Sequence, residues 1–157
     1  MEYQDLRDWI QIADEMGELK TLKGCDWNLE IGAITELVAH KEDGPAVLFE
    51  DIKGYPKGYR VLSNSLSSRK RLALTLGLPP GETKMDFVKI WKDNYKSIKP
   101  MPAKFVKQSA LFDNVYKDGD IDMFKFPTPF WHDKDGGRYI GTGSVDITRD
   151  PDEGWVN

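Results

Sequence analysis

Two closely spaced glycines with hydroxyl residues beside them, Gly141-Thr142-Gly143-Ser144, could bring backbone N–H groups up to an anion in the manner of a phosphate loop. No lysine and helix follow as in a P-loop, and no third glycine completes a dinucleotide pattern, so small residues in a twisted strand are the plainer reading. In a strand, Thr142 and Ser144 share a face, where two hydroxyls can serve a bound polar ligand. His132, Asp133 and Asp135 place an imidazole and two carboxylates in one short loop, donors suited in type to a divalent cation. Their spacing matches no closed ligand set, and a solvated polar turn before Gly136-Gly137 is expected instead.

The other chemistry-bearing residues read more plainly still. His40 falls at the end of a predicted helix, where a partly protonated ring complements the dipole. Cys25 has Lys23 nearby, which would lower its pKa slightly, but no adjoining histidine; a structural thiol is expected. Arg69-Lys70-Arg71 could contact a phosphate, yet with Ser67 and Ser68 before it the cluster suits the solvated first turns of a helix. With two histidines in the chain and no Ser-His-Asp pattern, the residues alone nominate no catalytic group.

Composition narrows the classes. The 157 residues are 39% hydrophobic and 31% charged, with five Trp, six Tyr and seven Phe, too rich in core-formers for a disordered segment. A net charge of −4, from 26 acids and 22 bases, offers no basic field to gather nucleic acid. One cysteine can form neither an internal disulfide nor a four-ligand zinc site, which points to a reducing compartment. Met1 to Ile10 lacks the basic and apolar regions of a signal peptide, and no apolar run reaches the ~18–20 residues that span a bilayer. A cytoplasmic protein without a membrane partner is expected.

The elements that must position these residues follow from periodicity. Leu6, Trp9, Ile10, Ala13 and Met16 draw one stripe down a helix that Gly17 can end. A strand over Leu19 to Leu22 precedes a second helix, Leu29 to His40, with Asn28 as N-cap and Ile31, Ile34, Leu37 and Val38 inward. After Gly44-Pro45, Ala46 to Glu50 reads as a buried strand, and Tyr59 to Leu62 returns beside it. Ser67 or Ser68 caps a helix running to Leu78, with Leu72, Ala73 and Leu76 inward; Thr83 caps another carrying Phe87, Ile90, Trp91 and Tyr95.

From Ile98 to Lys107 prolines among lysines mark a boundary. Beyond it a short strand near Ala110 to Phe112, a turn at Asp118-Gly119-Asp120 and an aromatic stretch from Phe124 to Trp131 are expected; Pro127 and Pro129 bar helix and central strand there. Tyr139 to Thr148 alternates as a strand, Asp150 to Gly154 turns it, and Trp155-Val156-Asn157 starts back. A hairpin with so short a return leaves its ladder unpaired, so the chain reads as a piece of a longer design.

Taken in order, Asp5-Leu6-Arg7-Asp8-Trp9-Ile10, Gly17-Glu18-Leu19-Lys20, Glu30-Ile31 and Gly44-Pro45-Ala46-Val47-Leu48-Phe49-Glu50 resemble the opening of the UbiD family of decarboxylases. Gly136-Gly137-Arg138-Tyr139-Ile140-Gly141-Thr142-Gly143 and Thr148 to Asn157 resemble that family's cofactor-approach strand and its hairpin. The resemblance implies an N-terminal α/β sandwich domain, residues 1–105, followed at 106–157 by the first strands of a split β-barrel flavin-binding domain. For the intact protein it implies a reversible, non-oxidative decarboxylase of aromatic or α,β-unsaturated carboxylic acids, with CO2 as co-product. The family's cofactors are prenylated FMN, supplied by a flavin prenyltransferase, together with Mn2+ and K+.

By the same resemblance Thr142 lies close to the flavin and substrate, and Asn157 ligates the metal that bridges protein and cofactor phosphate; an amide oxygen suits such a hard cation. The family's catalytic arginine, paired glutamates, other metal ligands and C-terminal domain, through which it forms homo-oligomers, have no counterpart in this sequence. The isolated chain is therefore expected to be inactive. A non-catalytic scaffold or interaction module is the other reading.

Overall fold

The computed structural model describes residues 3–81, 83–100, 102, 104–141 and 147–156, apart from the Leu111 side chain. Asp5 accepts the N–H groups of Arg7 and Asp8 and starts helix α1, Leu6–Glu15. At its far end Gly17 takes φ 71° and donates to the Asp14 carbonyl at 2.9 Å, while Glu18 N–H reaches Ala13 at 2.8 Å. This pairing satisfies the last carbonyls through a residue with no Cβ to strain. Trp9 and Ala13 carry the buried part of the predicted stripe; Leu6 and Met16, at its two ends, are exposed.

Strand β1, Leu19–Lys23, leads through helix α2, Glu30–Ala39, to the parallel strand β2, Ala46–Glu50, with Leu19 opposite Ala46 and Lys23 opposite Glu50. Strand β3, Val61–Ser63, pairs antiparallel on the other side, so β2 is central. Its residues are buried on both faces, as a strand between two layers requires. Ala46 and Leu48 join Trp9, Ala13, Leu19 and Leu74, whereas Val47 and Phe49 join Cys25, Ile31 and Ile52. Helices thus cover both faces of a small mixed sheet, and the α/β class expected from the sequence is present.

Helix α3, Arg69–Leu76, is capped by Ser68 and ended by Gly77 at φ 64°. Its buried residues are Arg71, Ala73 and Leu74; Leu72 and Leu76, expected inward, are half-buried. Helix α4, Lys84–Ser97, begins in a reciprocal capping box between Thr83 and Asp86. Phe87 is its buried anchor, and Tyr95 is exposed.

Helix α2 starts differently from its prediction. Asn28 is not the cap: Leu29 occupies that position at φ 66°, a region costly for a bulky residue. What holds it there comes from far along the chain. Leu29 N–H donates to the Phe130 carbonyl at 2.9 Å, and Phe130 N–H donates to Trp27 at 3.0 Å. The expected Leu37 is exposed, because the chain around Trp131 crosses α2 on the Gly32 side instead.

Among the described residues after Ser97 there is no strand. Ala110–Phe112, expected to be extended, is a 3-10 turn, as are Asp118–Asp120 and Met123–Lys125. Phe112 and Asp113 donate to Ser109 and Ala110 at 3.0 and 3.2 Å, so the backbone finds its partners locally rather than across a sheet. Residues 142–146, the centre of the strand expected from Tyr139 to Thr148, lie outside the described residues. The hairpin turn is as read: Asp150 accepts the N–H groups of Asp152 and Glu153, and Arg149 bridges Val156 antiparallel.

Candidate functional site

The proline-broken stretch does not hang free. Pro127 and Pro129 are buried, and Trp131 packs against the cluster built on Ile31 and Phe49. Gly32, inside α2, faces the Trp131 backbone so closely that a Cβ would collide with its carbonyl group. This stretch, residues 126–131, is a strap that together with the β3 side of the domain borders an open cavity of about 840 Å³. Tyr59, Phe126, Trp131 and Tyr139 give it aromatic walls, and Thr35, Ser63 and Asn64 give it polar groups. These last are ordered: Thr35 donates to the Ser63 hydroxyl at 3.0 Å, and the Asn64 amide donates to the Thr35 carbonyl at 2.9 Å.

His132 stands at the edge of this cavity between two carboxylates, Glu36 of α2 at 3.7 Å and Asp135 at 3.4 Å. The Asp135 carboxylate also accepts the His132 backbone N–H, which closes the polar turn expected from the sequence. Asp133 is exposed and outside this arrangement. No group of three His, Cys, Asp or Glu among the described residues is placed to hold a metal ion.

Gly141 lines the far side of the cavity. Thr142, Gly143, Ser144 and Asn157, the residues assigned to cofactor or ligand, lie outside the described residues. A recess with flat apolar walls and a few oriented polar groups suits a planar aromatic molecule. Among the described lining residues the oriented polar groups, Thr35, Ser63 and Asn64, are placed to bind and orient a ligand.

The remaining candidates sit elsewhere. His40 follows the last turn of α2 with its Nδ1 at 2.9 Å from the Glu36 carbonyl, a capping role. Cys25 is buried; desolvation, with the Glu30 charge added, pushes its thiol up rather than down, so the expected help from Lys23 is overruled and the thiol is structural.

The basic cluster is the clearest correction. Arg71 is wholly buried, not solvated, and its Nη1 donates to the Glu18 carboxylate at 2.7 Å. Its Nη2 donates to the Gly44 carbonyl at 2.7 Å and to Ser67 at 3.0 Å, while Lys70 and Ser68 approach the same carboxylate. This is a tie between α3, β1 and the turn before β2, held by charge-assisted bonds.

Arg138 was not singled out by its sequence, where only its place after Gly136-Gly137 sets it apart. In the structure its guanidinium lies 4.1 Å over the Trp27 ring and within 6 Å of the rings of Tyr55 and Phe124. Its Nε donates to the Thr128 carbonyl at 2.6 Å, and its Nη2 to Tyr55 and to the Phe126 carbonyl.

The chain is a layered α/β unit with an aromatic-walled recess beside its sheet, and comparison with known proteins gives its class. Residues 10–91 match the 3-octaprenyl-4-hydroxybenzoate carboxy-lyase N-terminal domain, and residues 104–157 match the Rift-related domain of the same carboxy-lyase. The chain belongs to the UbiD family.

It is 31% identical to the pyrrole-2-carboxylic acid decarboxylase of Pseudomonas aeruginosa, over 96% of this chain and 32% of that protein. With a ferulic acid decarboxylase of Saccharomyces cerevisiae the identity is also 31%, over 98% of this chain and 32% of the relative. The vanillic acid decarboxylase of Sedimentibacter hydroxybenzoicus in its closed form superposes with a TM-score of 0.80 at 33% identity, over 95% of this chain and 31% of that one. The chain spans about a third of the length of the relatives it matches.

Proposed function

We propose that the chain is the N-terminal part of a non-oxidative, reversible carboxy-lyase acting on aromatic or α,β-unsaturated carboxylic acids with prenylated FMN. In this reading residues 1–105 form its N-terminal α/β domain, and 106–157 begin its flavin-binding split barrel. One observation carries it: three relatives at 31–33% identity over at least 95% of this chain are named for the decarboxylation of acids bearing an aromatic ring.

The chemistry of the cavity fits that class. Aromatic walls next to Gly141 suit a flat ring, and the chain runs from Gly141 directly into Thr142. When bound, the prenylated flavin supplies the electron sink for loss of CO2; the protein positions groups around it and excludes water. Thr142 would present its hydroxyl to cofactor and substrate, and Asn157 its amide oxygen to Mn2+, with K+ as a second cation. A flavin prenyltransferase would supply the cofactor, further copies of the protein would complete a homo-oligomer, and its place would be the cytoplasm. No described helix is long and apolar enough to cross a membrane.

Asn157→Ala in the natural-length protein should lower bound manganese and bound flavin together, since one lost ligand opens the shell that clamps the cofactor phosphate; related outer-shell losses cost about 10–100-fold in metal affinity. Metal analysis and the visible spectrum of the purified variant check this. Unchanged manganese and an unchanged flavin spectrum would remove Asn157 from the site.

A further inference from the structure

We infer that Arg138 is a positioning residue that sets the place of residues 139–141, which lead in the sequence to Thr142; the inference rests on the cofactor role proposed for Thr142. Its guanidinium joins three parts of the chain at once. It stacks on Trp27, next to the start of α2, bonds Tyr55 in the turn before β3, and ties down the strap through the carbonyls of Phe126 and Thr128. The next residue is fixed as well, because the Trp131 indole N–H donates to the Tyr139 carbonyl at 3.3 Å.

Backbone leaving Arg138 therefore has a defined origin and direction before it reaches Gly141 at the cavity wall. A lysine cannot reproduce this: its single ammonium lacks the planar fork that stacks on a ring and serves separate acceptors together. The charge itself has no carboxylate partner within salt-bridge distance among the described residues, so its neighbours are rings and carbonyls. That is the surrounding of a geometric pin rather than of an ion pair.

The test uses the natural-length protein, wild type beside Arg138→Lys and Arg138→Ala. Hydrogen exchange is read over residues 126–131 and β2, and the circular dichroism of the bound flavin is read on the same samples. Arg138→Ala should speed exchange at Phe130, whose N–H is bonded to the Trp27 carbonyl, about tenfold or more while leaving the amides of β2 protected, and should change the sign or size of the flavin bands. Arg138→Lys, which keeps the charge, should fall close to alanine in both readouts. Exchange at Phe130 that matches wild type in both variants would overturn the inference, as would full rescue by lysine. Should alanine unfold the protein, lysine still decides. If wild type carries no flavin but exchange responds as expected, the pin stands and the cofactor role proposed for Thr142 fails.

Discussion

Replacing Arg71 with methionine is expected to destabilise the protein by about 3–5 kcal/mol, because it strips a buried carboxylate of its closest partner while leaving it in the interior. Glu18 is the group left behind: it is 8% exposed and accepts from Arg71, Ser68 and Lys70. Methionine fills similar volume, so the loss reports charge and hydrogen bonding rather than a void. Urea unfolding at neutral pH measures it.

The effect should depend on pH in a defined direction. Burial alone would raise the Glu18 carboxyl, but hydrogen bonds from Lys70 and Ser68 and the charges of Lys70 and Arg71 outweigh it and hold the group below its ordinary value. A group depressed on folding stabilises above its unfolded pKa, about 4.3 for a glutamate, and that contribution fades as pH falls through the lower folded value. Without Arg71 the burial cost gains weight, so protonation relieves the variant. The gap between wild type and Arg71→Met should therefore narrow from pH 7 towards pH 4; a constant gap would mean that the pair is not the source of the loss.

Gly32→Ala is the second large expectation. The added Cβ would meet the Trp131 carbonyl, carbonyl carbon and Cα, all backbone atoms that cannot rotate aside. The strap and α2 must part, at about 1–3 kcal/mol for overpacking of this kind. The bonds from Leu29 to Phe130 and from Phe130 to Trp27 should open with them. Exchange of the Leu29 and Phe130 amides should rise about tenfold or more, since each 1.4 kcal/mol is tenfold in an equilibrium. Gly119→Ala, which meets nothing within 4 Å, is the control and should leave both amides unchanged. Protection in Gly32→Ala equal to that of the control would show that the close approach is not maintained.

What could be read in the sequence was local. The stripe through Trp9 and Ala13, the all-apolar run Ala46 to Phe49 and the Thr83 cap each need only neighbouring residues to define them, and each is present. The start of α2 could not be read, because the carbonyl that satisfies Leu29 belongs to Phe130, remote in the chain. Arg71 looked like a surface charge for the same reason: its two neighbouring cations and two serines are visible in sequence, but Glu18 and the Gly44 carbonyl reach it only through the fold. Pro127 and Pro129 announced the absence of helix and strand between Phe126 and Trp131 without revealing that the segment would line a cavity. Thr142 and Asn157 owe their assignment to family resemblance; composition and spacing alone pointed no further than a strand with two hydroxyls.

Label exchange tests the proposed chemistry most directly. The natural-length protein, produced together with a flavin prenyltransferase and supplied with Mn2+ and K+, is incubated with 13C-bicarbonate and a panel containing pyrrole-2-carboxylic, ferulic and vanillic acids, the acids named for its relatives, with further aromatic and unsaturated acids. Mass spectrometry should find 13C in the carboxyl group of at least one acid, in the presence of a bound flavin whose mass exceeds that of FMN. A protein that binds no modified flavin and leaves every carboxyl group unlabelled would contradict a carboxy-lyase function.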